Sequence, residues 1–291
     1  SRKSDISFDD AQQELREKVD SAVASQLLSD RPIGLFLSGG MDSSVVLSAM
    51  RKANPSAEIN TYTTRFLHKT DDPKFNRDAD IAERTAKRYG CSHHVIDVSP
   101  QHVTDRAGNI ARHLGQPHAN TSVIALDRAT EIASRDVPVV LSGDGGDESF
   151  GGYDRYRWMA RLSSVLRNRI LRGSFKYAVQ RSAKFEQWGD LLLARDDIGR
   201  FLSFHTIPSA RQQNLFGKNG TPLLHELLKS PFTDTPDPVH GFMQFDRAVW
   251  LRDDAFVRSD RVTMRHGVEL RVPLTDDVLV DFARSLPSSY H

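Results

Sequence analysis

From Phe8 to Leu28 the apolar positions Phe8, Ala11, Leu15, Val19, Ala22, Val23 and Leu27 recur at helical spacing, with Ser7 placed to cap the first turn. A continuous apolar run, Ile33 to Leu37, follows and stops at a glycine pair; runs of this kind predict a strand buried on both faces. The pattern then predicts a helix over Ser43–Ala53, a strand over Ile59–Phe66 and a helix over Arg77–Tyr89 that Gly90 ends. A third strand is expected at His94–Val98, with His93 and His94 flanking its end. Helices around His102–Leu114 and Val123–Ala133 lead to a β-branched fourth strand, Val137–Leu141. Strands alternating with helices at this spacing predict an α/β fold with a parallel, doubly wound sheet.

After Tyr153 the periodicity changes. Tyr156 to about Leu228 is mostly helical, Ser230–Pro238 holds three prolines and reads as a linker, and Phe242–Leu286 is helical again apart from Val268–Pro273. Residues 1–153 are therefore expected to form an α/β nucleotide-binding core, and residues 154–291 a mainly helical region serving the same active site. Trp158, Trp188 and Trp250 are expected in the core rather than as stacking platforms for nucleic acid.

Composition narrows the function classes. Of 291 residues, 39 are basic and 38 acidic, for a net charge of +1, which supports neither a large nucleic-acid footprint nor a polybasic membrane anchor. The single cysteine, Cys91, excludes an internal disulfide framework and multi-cysteine zinc sites. No apolar run approaches the ~20 residues that span a bilayer, and the expected setting is the cytoplasm. The histidines form no metal-spaced cluster.

Two glycine-rich turns carry the candidate chemistry. Ser38-Gly39-Gly40-Met41-Asp42-Ser43-Ser44 joins a buried strand to a helix. Glycines let backbone approach a phosphate, and the free N–H groups of a helix start point at it. Asp42 suits such a place when a divalent cation stands between carboxylate and phosphate, and hard oxygen ligands fit Mg²⁺. The turn has neither the lysine of a Walker loop nor the spacing of a Rossmann fingerprint. It resembles the S-G-G-x-D-S signature of the PP-loop ATP pyrophosphatases, enzymes that split ATP between the α- and β-phosphates.

The second turn, Ser142-Gly143-Asp144-Gly145-Gly146-Asp147-Glu148-Ser149-Phe150-Gly151-Gly152-Tyr153, also follows an apolar strand. Open α/β sheets bind ligands beyond the carboxyl ends of their strands, so the two turns are expected to face one crevice. This motif is similar to the second signature of class B, glutamine-hydrolysing asparagine synthetases, and is more specific than the first. Asp253–Met264 followed by Val268–Asp276 is similar to the same family's third conserved stretch. Within it, charged residues such as Asp260, Arg261, Glu269 and Arg271 read mainly as packing ion pairs. Arg258 or Arg261 remains open as a phosphate contact.

The resemblance, from about Phe8 to His291, implies the C-terminal synthetase domain of that family. It implies that Leu37, Ser38, Gly39, Gly40, Asp42, Ser43 and Ser44 hold ATP phosphates, and that Thr64, Ser142 and Gly143 contact the nucleotide. It also implies that Asp42 and Asp147 bind Mg²⁺, while Asp144 handles a proton; Arg258, from its guanidinium chemistry, is the arginine expected to serve the reaction. The implied chemistry adenylates a carboxylate, aspartate in the best-known members, and then forms an amide with ammonia. Relatives with other acceptors are lactam-forming synthetases, peptide cyclases and sugar-carboxylate amidotransferases; a nucleotide-binding module without turnover is the reading from another class. The family's glutaminase domain is not in this chain, nor is its Lys-containing C-terminal segment, so the chain reads as a fragment. The glutaminase is then expected in a full-length protein or in trans, and a homo-oligomer is compatible with the family. Where the family has Asp-Glu-Pro this chain has Gly115-Gln116-Pro117, and Arg65 replaces its Gly after the second strand. Both departures bear on the acceptor.

Overall fold

A computed structural model of the chain describes residues 5–68, 76–116, 118, 120–166, 199 and 237–291. Five strands form one sheet: β1 (Ile33–Phe36), β2 (Asn60–Phe66), β3 (Ser92–Val98), β4 (Val139–Leu141) and β5 (Glu269–Arg271). Their order is β3-β2-β1-β4-β5 and every pairing is parallel. The chain thus builds outward from β1 to β3, then returns to the other side of β1 to add β4. That reversal is what a doubly wound sheet does at its centre.

Helices α1 (Phe8–Gln26), α2 (Met41–Ala53), α3 (Arg77–Arg88), α4 (Pro100–Leu114) and α5 (Ser122–Ala133) surround the sheet. Tyr62, Val140 and half-buried Phe36 pack with Ala129 and Ala133 of α5. Their strand neighbours Leu35, Thr61 and Leu141 point to the opposite face and are also fully buried. Both faces are covered, which is why these strands read as unbroken apolar runs.

Two helices start earlier than apolar spacing predicts. Ser99 accepts from the His102 N–H while His102 Nδ1 accepts from the Ser99 N–H, and Pro100 takes the first position of α4. This reciprocal cap fixes the helix start two residues before His102. Gly40 is the N-cap of α2, so Met41 and Asp42 lie in its first turn. His93 and His94 lie inside β3 rather than at its end: His93 Nδ1 is 2.8 Å from Thr61 Oγ1, and His94 stacks on Tyr62.

The chain divides into two compact units. The first comprises residues 1–149 and 251–290. Residues 251–290 add β5, α9 (Val257–Met264) and α10 (Asp277–Ser285) to it. Val262 of α9 packs among Ile110, Leu114, Val123 and Ile124 of α4 and α5, and Phe282 of α10 meets Ala11 of α1. The second unit comprises residues 150–250 with His291. Its core joins Tyr156 and Met159 of α7 (Asp154–Leu166) to Phe242, Met243 and Phe245 of α8 (Pro238–Phe245). There the fully buried Asp246 pairs with Arg155 at 2.7 Å and accepts from the Tyr156 hydroxyl. An eleven-residue π-helix, Asp246–Phe256, connects α8 to α9.

Trp158 departs from its expected core position: it is 44% exposed, on the outer side of α7. Trp250 is partly buried, while Trp188, most of the 156–228 stretch and residues 230–236 lie outside the described residues. Among the described residues no helix is long and apolar enough to cross a membrane.

Candidate functional site

β1 and β4 are paired neighbours at the centre of the sheet, Ile33 to Leu35 opposite Val139 to Leu141. Each runs directly into one of the glycine-rich turns. Both turns therefore emerge at the carboxyl ends of adjacent strands, at the switch point where open α/β sheets bind ligands.

The first turn is folded by its own hydroxyls. Buried Leu37 still donates its N–H to Tyr62 O at 2.9 Å, which ties the start of the turn to β2. Ser43, buried in the first turn of α2, accepts the Ser38 N–H at 3.2 Å and lies 3.0 Å from the Ser38 hydroxyl. The Gly40 N–H donates to Ser38 Oγ at 3.2 Å, and Ser44 Oγ donates to Gly40 O at 2.8 Å. Gly39 has φ +82° with Asp78 O where a Cβ would stand, so the turn needs glycine there. Ser38 and Gly40 remain exposed. Gly40 offers no side chain to the N–H groups that open α2, which leaves a positive helix end facing outward.

The second turn presses against the first. A Cβ on Gly143 would lie 2.5 Å from Ser43 N, and one on Gly146 would lie 2.5 Å from Asp42 Cγ. Only bare backbone permits that approach. Buried Ser142 donates its N–H to Arg271 O at 3.0 Å, and its hydroxyl accepts the Asp144 N–H at 3.3 Å. Asp147 opens the short helix α6 (Gly146–Phe150) beside Asp42.

Three carboxylates thus share this place with little compensating charge. Burial raises the Asp42 pKa from 3.8 to about 6, with the charges of Asp147 and Asp144 adding to the effect and the Asp147 backbone N–H opposing it. Asp144 is open to solvent on one side, yet desolvation by the surrounding protein holds its carboxyl above the ordinary range, against the Ser142 hydroxyl and the charge of Arg258. Mutual repulsion of this kind fits a hard divalent cation between Asp42 and Asp147. Among the described residues no group of three or more His, Cys, Asp or Glu side chains is arranged to hold a metal.

Arg258, on α9, reaches Asp144 electrostatically, donates to Ser122 Oγ at 3.3 Å and faces Asp254 at 3.7 Å. Thr64 lies two residues beyond Tyr62, the partner of Phe36, so β2 carries it alongside the first turn. Arg261 and Arg271 serve packing instead: Arg261 donates to Leu114 O, and Arg271 pairs with Glu269 at 2.7 Å and donates to Gln26 O and Leu28 O. Glu148, 3% exposed, is a buried carboxylate of the second turn not singled out as a site residue from sequence. Ser122 and Asp254 were likewise missed; only the Asp254–Arg258 spacing of four on a helix could have signalled a pair.

Comparison with known proteins completes the picture. The asparagine synthase family profile matches residues 14–291. The chain is 30% identical over 285 residues to glutamine-hydrolysing asparagine synthetase 1 of Bacillus subtilis, covering 94% of this chain and 43% of that protein. It is 29% identical to a putative glutamine-hydrolysing asparagine synthetase of Mycobacterium bovis, covering 94% and 42%. The chain therefore spans less than half the length of these relatives. Among solved structures, the U34-tRNA thiolase NcsA of Methanococcus maripaludis matches with TM-score 0.36 at 13% identity, covering 92% of this chain and 84% of that one. NMN synthetase of Francisella tularensis matches with TM-score 0.34 at 15% identity, covering 51% and 60%. With a profile match over nearly its whole length and the family's turns at neighbouring strand ends, this chain belongs to the asparagine synthase family.

Proposed function

We propose that this chain is an ATP-dependent amide-forming synthetase. The observation that carries the reading is the contact between the two turns, which sets Asp42 against Asp147 beneath an outward-facing helix start. A triphosphate laid there would meet the N–H groups of the first turn and the hydroxyls of Ser38 and Ser44. Leu37, Gly39, Gly40 and Ser43 would form the wall of that cradle, with Ser142 and Gly143 closing it. The Thr64 backbone would meet the adenosine. Bound between Asp42 and Asp147, Mg²⁺ would neutralise charge on the phosphates.

An acceptor carboxylate oxygen attacks the α-phosphorus, the bond to the β-phosphate oxygen breaks, and pyrophosphate leaves. Arg258 offsets negative charge at the α-phosphate, as a preorganised cation does in a partly desolvated site. Ammonia then attacks the acyl carbon, the bond to AMP breaks, and the proton shed by nitrogen passes to Asp144. A carboxyl held above its ordinary range suits that transfer.

Aspartate is the proposed acceptor, with ammonia delivered by a glutaminase domain in a longer protein or in trans. A different carboxylate is favoured by one observation. Gly115, where the family's Asp-Glu-Pro begins, is a left-handed helix C-cap at φ +69°, a place that supplies no side chain to a substrate.

The test is pyrophosphate release with MgATP and ammonium across a panel of carboxylates, aspartate first. Asp42→Ala is expected to lower the rate by about 10³-fold or more. Full activity in that variant would refute the metal assignment, and ATP binding without pyrophosphate release from any acceptor would refute synthesis.

A further inference from the structure

Beside Arg258 lies a group of buried polar atoms that the reaction outlined above does not use. His118 has a side chain only 7% exposed, and its Nδ1 accepts the backbone N–H of Asn120 at 3.1 Å. In the neutral ring that bond leaves the proton on Nε2. Nε2 is 2.9 Å from Asp254 Oδ1, close but off the ring's N–H direction, so no hydrogen bond is completed. The other Asp254 oxygen, Oδ2, is 3.7 Å from Arg258 Nε, and both of these buried atoms lack a hydrogen-bond partner. The Arg258 side chain is 11% exposed, and its Nη1 is spent on Ser122.

Buried polar atoms in folded proteins are nearly always satisfied, so three unsatisfied ones in a row call for a reason. The Asp254 carboxylate lies between the two others, with Oδ1 toward His118 Nε2 and Oδ2 toward Arg258 Nε. His118 sits in the 115–121 connection before α5, and Asp254 sits in the last turn of the π-helix, four residues before Arg258. The imidazole therefore lies against the carboxylate from a separate part of the chain, and the carboxylate lies beside one edge of the guanidinium.

We infer that His118 and Asp254 are positioning residues for Arg258, an imidazole–carboxylate–guanidinium line that sets which N–H groups of Arg258 face the Asp144 turn. The inference rests on the synthetase reading in that Arg258 must meet the nucleotide. Asp254 and His118 touch neither substrate; they act only through the arginine.

That dependence makes a double-mutant cycle the decisive experiment. Wild type, Asp254→Asn, Arg258→Gln and the double variant are compared by pyrophosphate release with L-aspartate and ammonium, and by calorimetric titration with MgATP. Arg258→Gln is expected to lower kcat about 100-fold and Asp254→Asn about tenfold. The double variant should match Arg258→Gln within about twofold, because a misplaced arginine and an absent one share the same loss. His118→Gln, which keeps an N–H donor, should stay within about threefold of wild type, whereas His118→Phe should follow Asp254→Asn. Multiplicative losses in the double variant, or an Asp254→Asn protein indistinguishable from wild type, would overturn the inference. If Asp254→Asn does not fold, Asp254→Glu replaces it in the cycle. If wild type releases no pyrophosphate, the synthetase reading with aspartate has failed. The cycle is then read from MgATP affinity alone, where the same non-additivity is required and additive or absent effects refute the line. A wild-type chain that binds no MgATP overturns both.

Discussion

Two groups of carboxylates in the first unit answer the same physical problem in opposite ways. Asp127, fully buried in α5, is surrounded by basic side chains: Arg106 at 2.6 Å, Arg265 at 2.8 Å and His266 Nε2 at 2.8 Å. Glu131, one turn on, takes the second nitrogen of Arg106 at 2.5 Å and Arg128 at 2.7 Å. Burial alone would raise the Asp127 pKa, but hydrogen bonds from His266 and Arg106 and the charges of Arg265 and His266 hold it below the ordinary range. At the strand ends, Asp42, Asp144 and Asp147 meet each other instead, and Asp42 is pushed up to about 6. One cluster is neutralised from within the fold. The other, in the proposed function, is neutralised by bound Mg²⁺, and that difference would separate a packing device from a binding site.

The largest effect expected from breaking this contrast comes from the turns themselves. Gly143→Ala would place a methyl group 2.5 Å from Ser43 N, against backbone that cannot rotate away. Wedging the turns apart by about an ångström should weaken MgATP binding or turnover by about 100-fold. Calorimetric titration of the folded variant checks it, and unaltered affinity would mean that the contact does not shape the site.

Next in size is the compensated cluster. Asp127→Ala removes the shared acceptor of Arg106, Arg265 and His266, which join α4, α5 and the end of α9. Breaking a buried pair by deleting one partner costs about 3–5 kcal/mol, and the lower end applies here because Arg106, Arg265 and His266 are half-buried. Urea denaturation should show a loss of that size. A loss under about 1 kcal/mol would mean the network is no more than a surface pairing.

These two clusters were not equally legible in the sequence. The turns were visible because each follows a continuous apolar run, Ile33–Leu37 or Val137–Leu141, and a run of that kind marks a strand buried on both faces. That they would face one crevice was expected from their places at the carboxyl ends of strands, and the pairing of β1 with β4 sets those ends side by side. The Asp127 cluster was invisible: its partners Arg265 and His266 lie 138 and 139 residues away, and periodicity names the buried face of a helix without naming what it meets. The line from His118 through Asp254 to Arg258 was hidden for the same reason. Helix starts were misplaced at α2 and α4, where Gly40, Ser99 and Pro100 set the boundary through cap chemistry that apolar spacing ignores. Trp158 was misjudged because an aromatic residue at helical spacing does not by itself mark a core position, and this one is 44% exposed.

The smallest expected effect is also the sharpest discriminator, because the two clusters must respond to pH with opposite sign. Folding raises the Asp42 pKa, so the folded protein holds that proton more tightly than the unfolded chain. The cost of its charge, from burial first and from the repulsion of Asp147 and Asp144 second, is absent below about pH 4, grows between pH 4 and 6, and is fully present above pH 6. Asp127, held low, contributes stability that is fully present above its unfolded value near 4 and disappears only as pH falls through its lower folded value. Asp42→Asn should therefore stabilise the Mg²⁺-free protein by about 1–2 kcal/mol at pH 7 and by almost nothing at pH 4. Saturating Mg²⁺ should shrink the gain at pH 7, since the cation relieves the same repulsion in wild type alone. Urea denaturation of both proteins from pH 4 to 8, with and without Mg²⁺, reads all three outcomes. A gain independent of both pH and metal would mean that Asp42 is strained by packing rather than by charge, and the contrast between the two clusters would fall with it.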